Sequence, residues 1–188
     1  SVITREPGGS PGAEIIRHIL LSGLAKPLGA DTEAILFAAA RDDHMRTVIR
    51  PAIAAGKWVI CDRFIDSTRV YQGAVGRVDP RLIRSLERIT VGAAVPDLTF
   101  ILDVPATVGL ARAKNRRAEG AADRFEGEDV KFHEALRNAY RALAKLEPKR
   151  CVLIDGRAPR DVVSGRIWRT VEERLHPQPA NRLARVAP

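Results

Sequence analysis

The stretch 57-KWVICDRFIDSTRVYQG-73 decides how the rest of the chain is read. Trp58, Val59, Ile60 and Cys61 form an apolar run of the kind a buried parallel strand requires. Asp62 and Arg63 end it abruptly, and Asp66 opens a polar segment of helical character that carries Ser67, Thr68, Arg69, Tyr71 and Gln72. Open α/β sheets keep their ligand crevice at the carboxyl ends of the strands. An arginine there suits a bidentate phosphate contact, and an aspartate suits a hydrated Mg²⁺. Alone, the pair reads equally well as a salt-bridged strand exit.

Working outward, the segment 1-SVITREPGGSPGAE-14 starts with a short strand and leaves it through Pro7-Gly8-Gly9. Ser10-Pro11 then opens a helix over 12–22, with a cap residue followed by a first-turn proline. Ile15, Ile16, Ile19 and Leu20 share one face of it, and Arg17 lies off that stripe. A second helix is expected from Asp31 as its cap, with Glu33 in the first turn, running to Val48 and Ile49. Phe37 and Arg41 are four residues apart on it, so a ring and a guanidinium project side by side. Such a pair could clamp a planar base, and equally could be a core Phe beside a surface Arg. Pro51 is expected to kink this helix before Gly56 closes it.

Downstream, Asp79-Pro80 opens a helix to about Gly92, and Leu98–Asp103 reads as a second buried strand. Residues 106–117 form a helix ending in Arg112, Lys114, Arg116 and Arg117. The following 118-AEGAADRFEGED-129 mixes glycines, small residues and charges, the composition of a flap over polyphosphate or of an exposed basic helix end. A helix over about 129–146, the strand Cys151–Asp155 and a helix over 159–175 follow. The tail 176–188 reads as disordered. Strands alternating with helices argue for a parallel sheet flanked by helices, an α/β fold in one domain over 1–175.

Composition narrows the partners. A net charge of +8 favours phosphate-bearing ligands. The arginines at 160, 166, 169, 174, 182 and 185 read as a solvated helix face and tail, and no nucleic-acid partner is expected. No run reaches the roughly 18 apolar residues of a membrane span, so no membrane association is expected. Cys61 and Cys151 read as buried thiols of a reducing, cytoplasmic compartment. The four histidines, 18, 44, 133 and 176, show no zinc spacing.

The order of motifs is more specific than any one of them. Thr4-Arg5-Glu6-Pro7-Gly8-Gly9, Leu36-Phe37-Ala38-Ala39-Ala40-Arg41, Asp62-Arg63-Phe64 with Asp66-Ser67-Thr68 and Tyr71-Gln72-Gly73, then Asp123-Arg124-Phe125-Glu126, together resemble bacterial thymidylate kinase. The resemblance runs from Thr4 to about residue 175. It implies a nucleoside-monophosphate kinase of the P-loop NTP hydrolase-like fold that moves the γ-phosphoryl of ATP to dTMP, giving dTDP for dTTP synthesis. It further implies that Phe37 stacks on thymine while Arg41, Thr68 and Gln72 read its edge, with Ser67 beside them. Arg17 and Arg63 would hold the dTMP phosphate, Glu6 and Tyr71 would line the sugar, and Asp62 would serve Mg²⁺. Arg112, Arg116 and Arg117 would be the arginines of a lid at about 112–128 that includes Asp123, Arg124 and Glu126. A homodimer is implied as well.

One expected part does not occur. A P-loop needs G-x-x-x-x-G-K-[ST], whose amides and lysine cradle the β- and γ-phosphates, and none stands in the 188 residues. The family places it before the Thr4–Gly9 segment, so the sequence reads as an N-terminally shortened kinase, inactive without that unit. The alternative is a P-loop-less paralogue that binds nucleotide without catalysis. A deoxynucleoside kinase shares the strand-end Asp-Arg, but Thr4–Gly9 and the Phe37/Arg41 pair speak against it.

Overall fold

The structure is a computed structural model and describes residues 1–116 and 124–176. The middle of the expected lid and the tail from 177 onward lie outside the described residues. Strand β1 (Val2–Arg5) lies parallel to β2 (Val59–Asp62), with Ile3 opposite Ile60 and Arg5 opposite Asp62. Strand β3 (Thr99–Asp103) lies parallel to β4 (Cys151–Asp155), which sets Asp103 opposite Asp155. Among the described residues these ladders are two separate pairs, not one continuous sheet.

Helix α1 (Pro11–Leu21) follows the glycine turn after β1, and α2 (Gly29–His44) packs along it. The second helix starts before its expected cap. Leu28 is the flanking residue, Lys26–Leu28 forms a 3₁₀ turn, and Asp31 sits inside the first turn, where its charge still favours the helix dipole. Near Pro51 the regular ladder gives way to a π-helical stretch over Met45–Ile49 before α3 (Arg50–Ala54), the break expected where a proline lacks an N–H to donate. Gly56 then ends the segment at φ 67°.

After β2 come the single turn α4 (Ile65–Thr68) and a second π-helical stretch, Arg69–Val75. The helix α5 (Pro80–Thr90) is capped by the Asp79 carboxylate, which accepts from Arg81 N at 2.7 Å. Helix α6 (Ala106–Arg116) leaves β3. Helix α7 (Val130–Leu146) is capped by Asp129, and α8 (Arg160–Leu175) packs on β4.

The expectation of a fully buried β2 is corrected. Val59 and Cys61 are half-buried on one face, whereas Ile60 is 56% exposed and its partner Ile3 is 80% exposed on the other. Cys151 is buried as expected, but Cys61 is only partly so, and its thiol sits 3.0 Å from the carbonyl of Arg63. The two halves of the molecule are tied beside β3 by Asp66, buried, which receives both terminal nitrogens of Arg150 at 2.8 Å. Thr99 Oγ1 donates to the same carboxylate at 3.3 Å. Asp66 therefore serves the frame, while its neighbours Ser67 and Thr68 face the crevice.

Candidate active site

A cavity of about 470 Å³ opens at the carboxyl ends of β1, β2 and β3, within the range of small-molecule sites. Arg5, Glu6, Arg17, Phe37, Arg41, Asp62, Arg63, Ser67, Thr68, Tyr71, Gln72 and Glu126 all line it. Residues scattered over more than a hundred positions are thus gathered at one end of three strands, from the segments that follow them and from the helices α1 and α2.

The turn after β1 is built by its glycines. The Glu6–Pro7 peptide is cis, Gly8 has φ 124° and Gly9 φ 86°. A Cβ on Gly9 would come 2.7 Å from His44 Nε2 and collide with Thr4 Oγ1, so only glycine fits. Beneath the turn lies a buried polar network. Arg41 donates from Nε to Glu6 Oε2 at 2.8 Å and from Nη2 to Thr68 Oγ1 at 2.9 Å. Glu6 Oε1 meets His44 Nδ1 at 3.2 Å, and His44 Nε2 meets Thr4 Oγ1 at 2.7 Å. All but Thr4 are under 9% exposed, which makes each bond costly to break. The Arg41 guanidinium also stacks 5.4 Å from the Phe64 ring centroid.

Arginines ring the outer part. Arg17 donates to the Pro7 carbonyl, and Arg5 pairs with Glu14 at 2.7 Å. The Gly9 amide, followed by Arg5 and Arg17, holds the Glu14 carboxyl below the usual carboxylate range. Arg63 adopts φ 63°, a left-handed backbone that a β-carbon disfavours, directly at the strand exit. Its guanidinium lies 5.3 Å from the Tyr71 ring centroid and donates to the Tyr71 hydroxyl at 3.3 Å.

The aromatic side is larger than the sequence suggested. Tyr71 meets Phe125 edge-on at 5.2 Å between centroids, and Phe125 lies 6.3 Å from Phe37. Tyr140 reaches in from α7, bonded to Ser67 Oγ at 2.9 Å, and burial pushes its phenol up to about 12. His133, Arg137 and Tyr140 are lining residues that sequence reasoning did not pick out, and Phe64 and Phe125 stand in its motifs without a site role. Phe132, Leu136 and Tyr140 carry an ordinary helical stripe, which gives no sign that it ends in a cavity. Arg137 is held by Asp103 in a two-pronged pair at 2.7 and 3.1 Å, and that hydrogen bonding keeps Asp103 below its ordinary carboxyl value.

The lid residues divide. Arg112 donates to the carbonyl of Gly156 at 2.8 Å and is not among the residues that line the cavity. Arg124 stacks on Phe125 and pairs with Glu33. The Arg116 side chain, Arg117 and Asp123 lie outside the described residues. Among those described, no cluster of three His, Cys, Asp or Glu side chains forms a metal cage. Asp62, exposed at the cavity wall, fits the lesser demand of Mg²⁺, which takes one or two carboxylates and completes its shell with phosphate and water.

The family model of thymidylate kinase matches residues 1–167. The chain belongs to the thymidylate kinase family. A thymidylate kinase of Bradyrhizobium diazoefficiens is 58% identical over 181 residues, covering 96% of this chain and 79% of that protein. One of Nitrobacter winogradskyi is 60% identical over 174 residues, covering 93% and 76%. The crystal structure of thymidylate kinase from Ehrlichia chaffeensis superposes with a TM-score of 0.70 at 32% identity, covering 91% of this chain and 79% of that one. The fold is accordingly that of the P-loop nucleoside-monophosphate kinases, with parallel strands flanked by helices. The activity is that of a thymidylate kinase, phosphorylation of dTMP with ATP as donor. Among the described residues no helix is long and apolar enough to cross a membrane.

Proposed function

We propose that the cavity is the dTMP acceptor site and that its residues divide the work as follows. Phe37 stacks on thymine, and Arg41, fixed by Glu6 and Thr68, presents a rigid fork to the edge of the base, with Gln72 and Ser67 beside it. Arg17 and Arg63 receive the 5′-phosphate, and Tyr71 with Glu6 borders the sugar. Asp62 would hold Mg²⁺, which would supply neutralisation of the phosphate charge. Phosphoryl transfer asks the protein chiefly for positioning and positive charge, and the guanidiniums around this cavity supply both. Arg112, Arg116, Arg117 and Asp123 belong in this reading to a lid that closes over polyphosphate, with Arg124 and Glu126 at its end beside the acceptor cavity. The observation that carries the proposal is the Arg41 network: a buried guanidinium held from two sides beside an aromatic ring in the cavity wall.

The reading also takes the protein to be a cytoplasmic homodimer. Two thiols without a disulfide suit a reducing compartment, and light scattering giving a monomer mass at micromolar concentration would refute the dimer. The pocket itself is tested by calorimetric titration with dTMP. Phe37→Ala and Arg41→Ala are each expected to weaken binding about tenfold or more, since stacking on an aromatic contributes about 1–3 kcal/mol per base. Unchanged affinity in both variants would refute the assignment.

A further inference from the structure

Glu33 is a buried carboxylate with a specific partner. It lies on α2 four residues before Phe37 and eight before Arg41, so the three share one face of the helix. It is 3% exposed at the fifth position of α2, beyond the first turn, so a helix-dipole contribution does not explain sinking a charge that far. Its Oε1 lies 2.8 Å from Nη2 of Arg124, whose side chain is itself only 15% exposed. Arg124 is fastened a second time through its backbone, where its amide donates to the Leu21 carbonyl at 3.1 Å. Lys26 pairs with Glu128 at 3.1 Å a few residues on. The turn at 124–128 is thereby tied to the end of α1 and the start of α2.

That fastening determines where Phe125 sits. The Arg124 guanidinium lies 4.4 Å from the Phe125 ring centroid, and the same ring lies 6.3 Å from Phe37 and 5.2 Å from Tyr71 between centroids. The contact is an ion pair without hydrogen-bond geometry, since Glu33 Oε1 and Arg124 Nε are both buried with no hydrogen-bond partner, so the arginine is kept there by charge and burial. We propose that Glu33 is a positioning residue for the acceptor pocket: through Arg124 it sets Phe125 against Phe37 and Tyr71 and so forms one wall of the space that receives the nucleoside. The inference rests on the dTMP reading of the cavity. It assigns no contact between Glu33 and the nucleotide.

The test is a double-mutant cycle read by dTMP calorimetry on the full chain, with thermal melting alongside. Glu33→Gln and Arg124→Gln are each expected to raise the Kd for dTMP roughly tenfold, and the double variant no further than either single one. Phe125→Ala should reproduce the loss. Variants that melt lower yet bind dTMP as tightly as the parent would show a purely structural pair and overturn the inference, as would additive effects in the double variant. If Glu33→Gln does not fold, Arg124→Gln together with Phe125→Ala decides the matter through the same affinity. A parent chain that fails to bind dTMP overturns the acceptor reading and this inference with it. A parent that binds beside unaffected variants overturns this inference alone.

Discussion

At the scale of single residues, the acceptor side is governed by what surrounds Arg41. Glu6 accepts its Nε–H and also meets His44, so a single carboxylate orients both a guanidinium and an imidazole. Glu6→Ala leaves Arg41 buried without its counter-charge, a change that costs about 3–5 kcal/mol. Denaturant unfolding should show that loss, and dTMP affinity should fall with it; an unchanged midpoint would mean that Arg41 finds another partner. The sequence showed Glu6 and Arg41 as motif members but gave no sign of His44, because an imidazole forty residues from its threonine partner has no local signature. Asp103 supplies a pH dependence. Its carboxyl is held down by the Arg137 hydrogen bonds, so its contribution to stability is present above the unfolded value of 3.8 and is lost as pH falls through the lower folded value. Asp103→Asn should therefore flatten the acid limb of the stability curve, measured by melting between about pH 5 and 2. An identical acid limb would show that the pair is not coupled to folding.

At the scale of elements, a cap followed by a proline marks a boundary well. Asp79-Pro80 is such a case, and the Asp79 carboxylate accepts a first-turn amide at 2.7 Å; Asp129 caps α7 at the same distance, although the sequence alone marks it only as the approximate start of a helix. The start of α2 was misread because Asp31 has the right chemistry for a cap, yet the 3₁₀ turn at Lys26–Leu28 already feeds the helix. The two π-helical stretches were beyond sequence reading, since an extra residue per turn leaves no compositional mark. The second has a visible consequence: it carries Tyr71 and Gln72 into the cavity from the same short segment whose Asp66 faces the opposite way, toward Arg150. Asp66 is thus the pin between α4 and the β3–β4 ladder. Removing it with Asp66→Ala strands Arg150 and is expected to destabilise the protein by about 3 kcal/mol, a fall of roughly 6–12 °C in melting temperature. A calorimetric scan with an unshifted midpoint would show that Glu147, which also pairs with Arg150 at 2.7 Å, suffices to hold it.

At the scale of the whole molecule, the ladders β1–β2 and β3–β4 carry the argument. Parallel sheets are ordinarily covered on both faces, because each crossover lays a helix against them. Here Ile3 and Ile60, side by side in register, remain exposed on one face of their ladder. The two ladders share no backbone pairing among the described residues. The cavity has arginines for the acceptor phosphate, yet the 188 residues include no G-x-x-x-x-G-K-[ST] segment whose amides and lysine would orient the γ-phosphate of ATP. Misplacing a reacting group by even 1 Å can cost about 10²-fold in rate. The 188-residue polypeptide by itself is therefore expected to show no measurable dTMP-dependent ADP release in a coupled assay. A strand joining the two ladders and running through such a glycine-rich turn into a helix would satisfy the unpaired edges and cover Ile3 and Ile60. Fused to this chain, such a unit should raise the melting temperature and confer turnover together, and Arg63→Ala in the fusion should then remove most of that turnover. Robust turnover by the 188 residues unaided would mean that the γ-phosphate of ATP is oriented without such a segment. A fusion that gains stability without activity would instead place the fault in the arginines of the site.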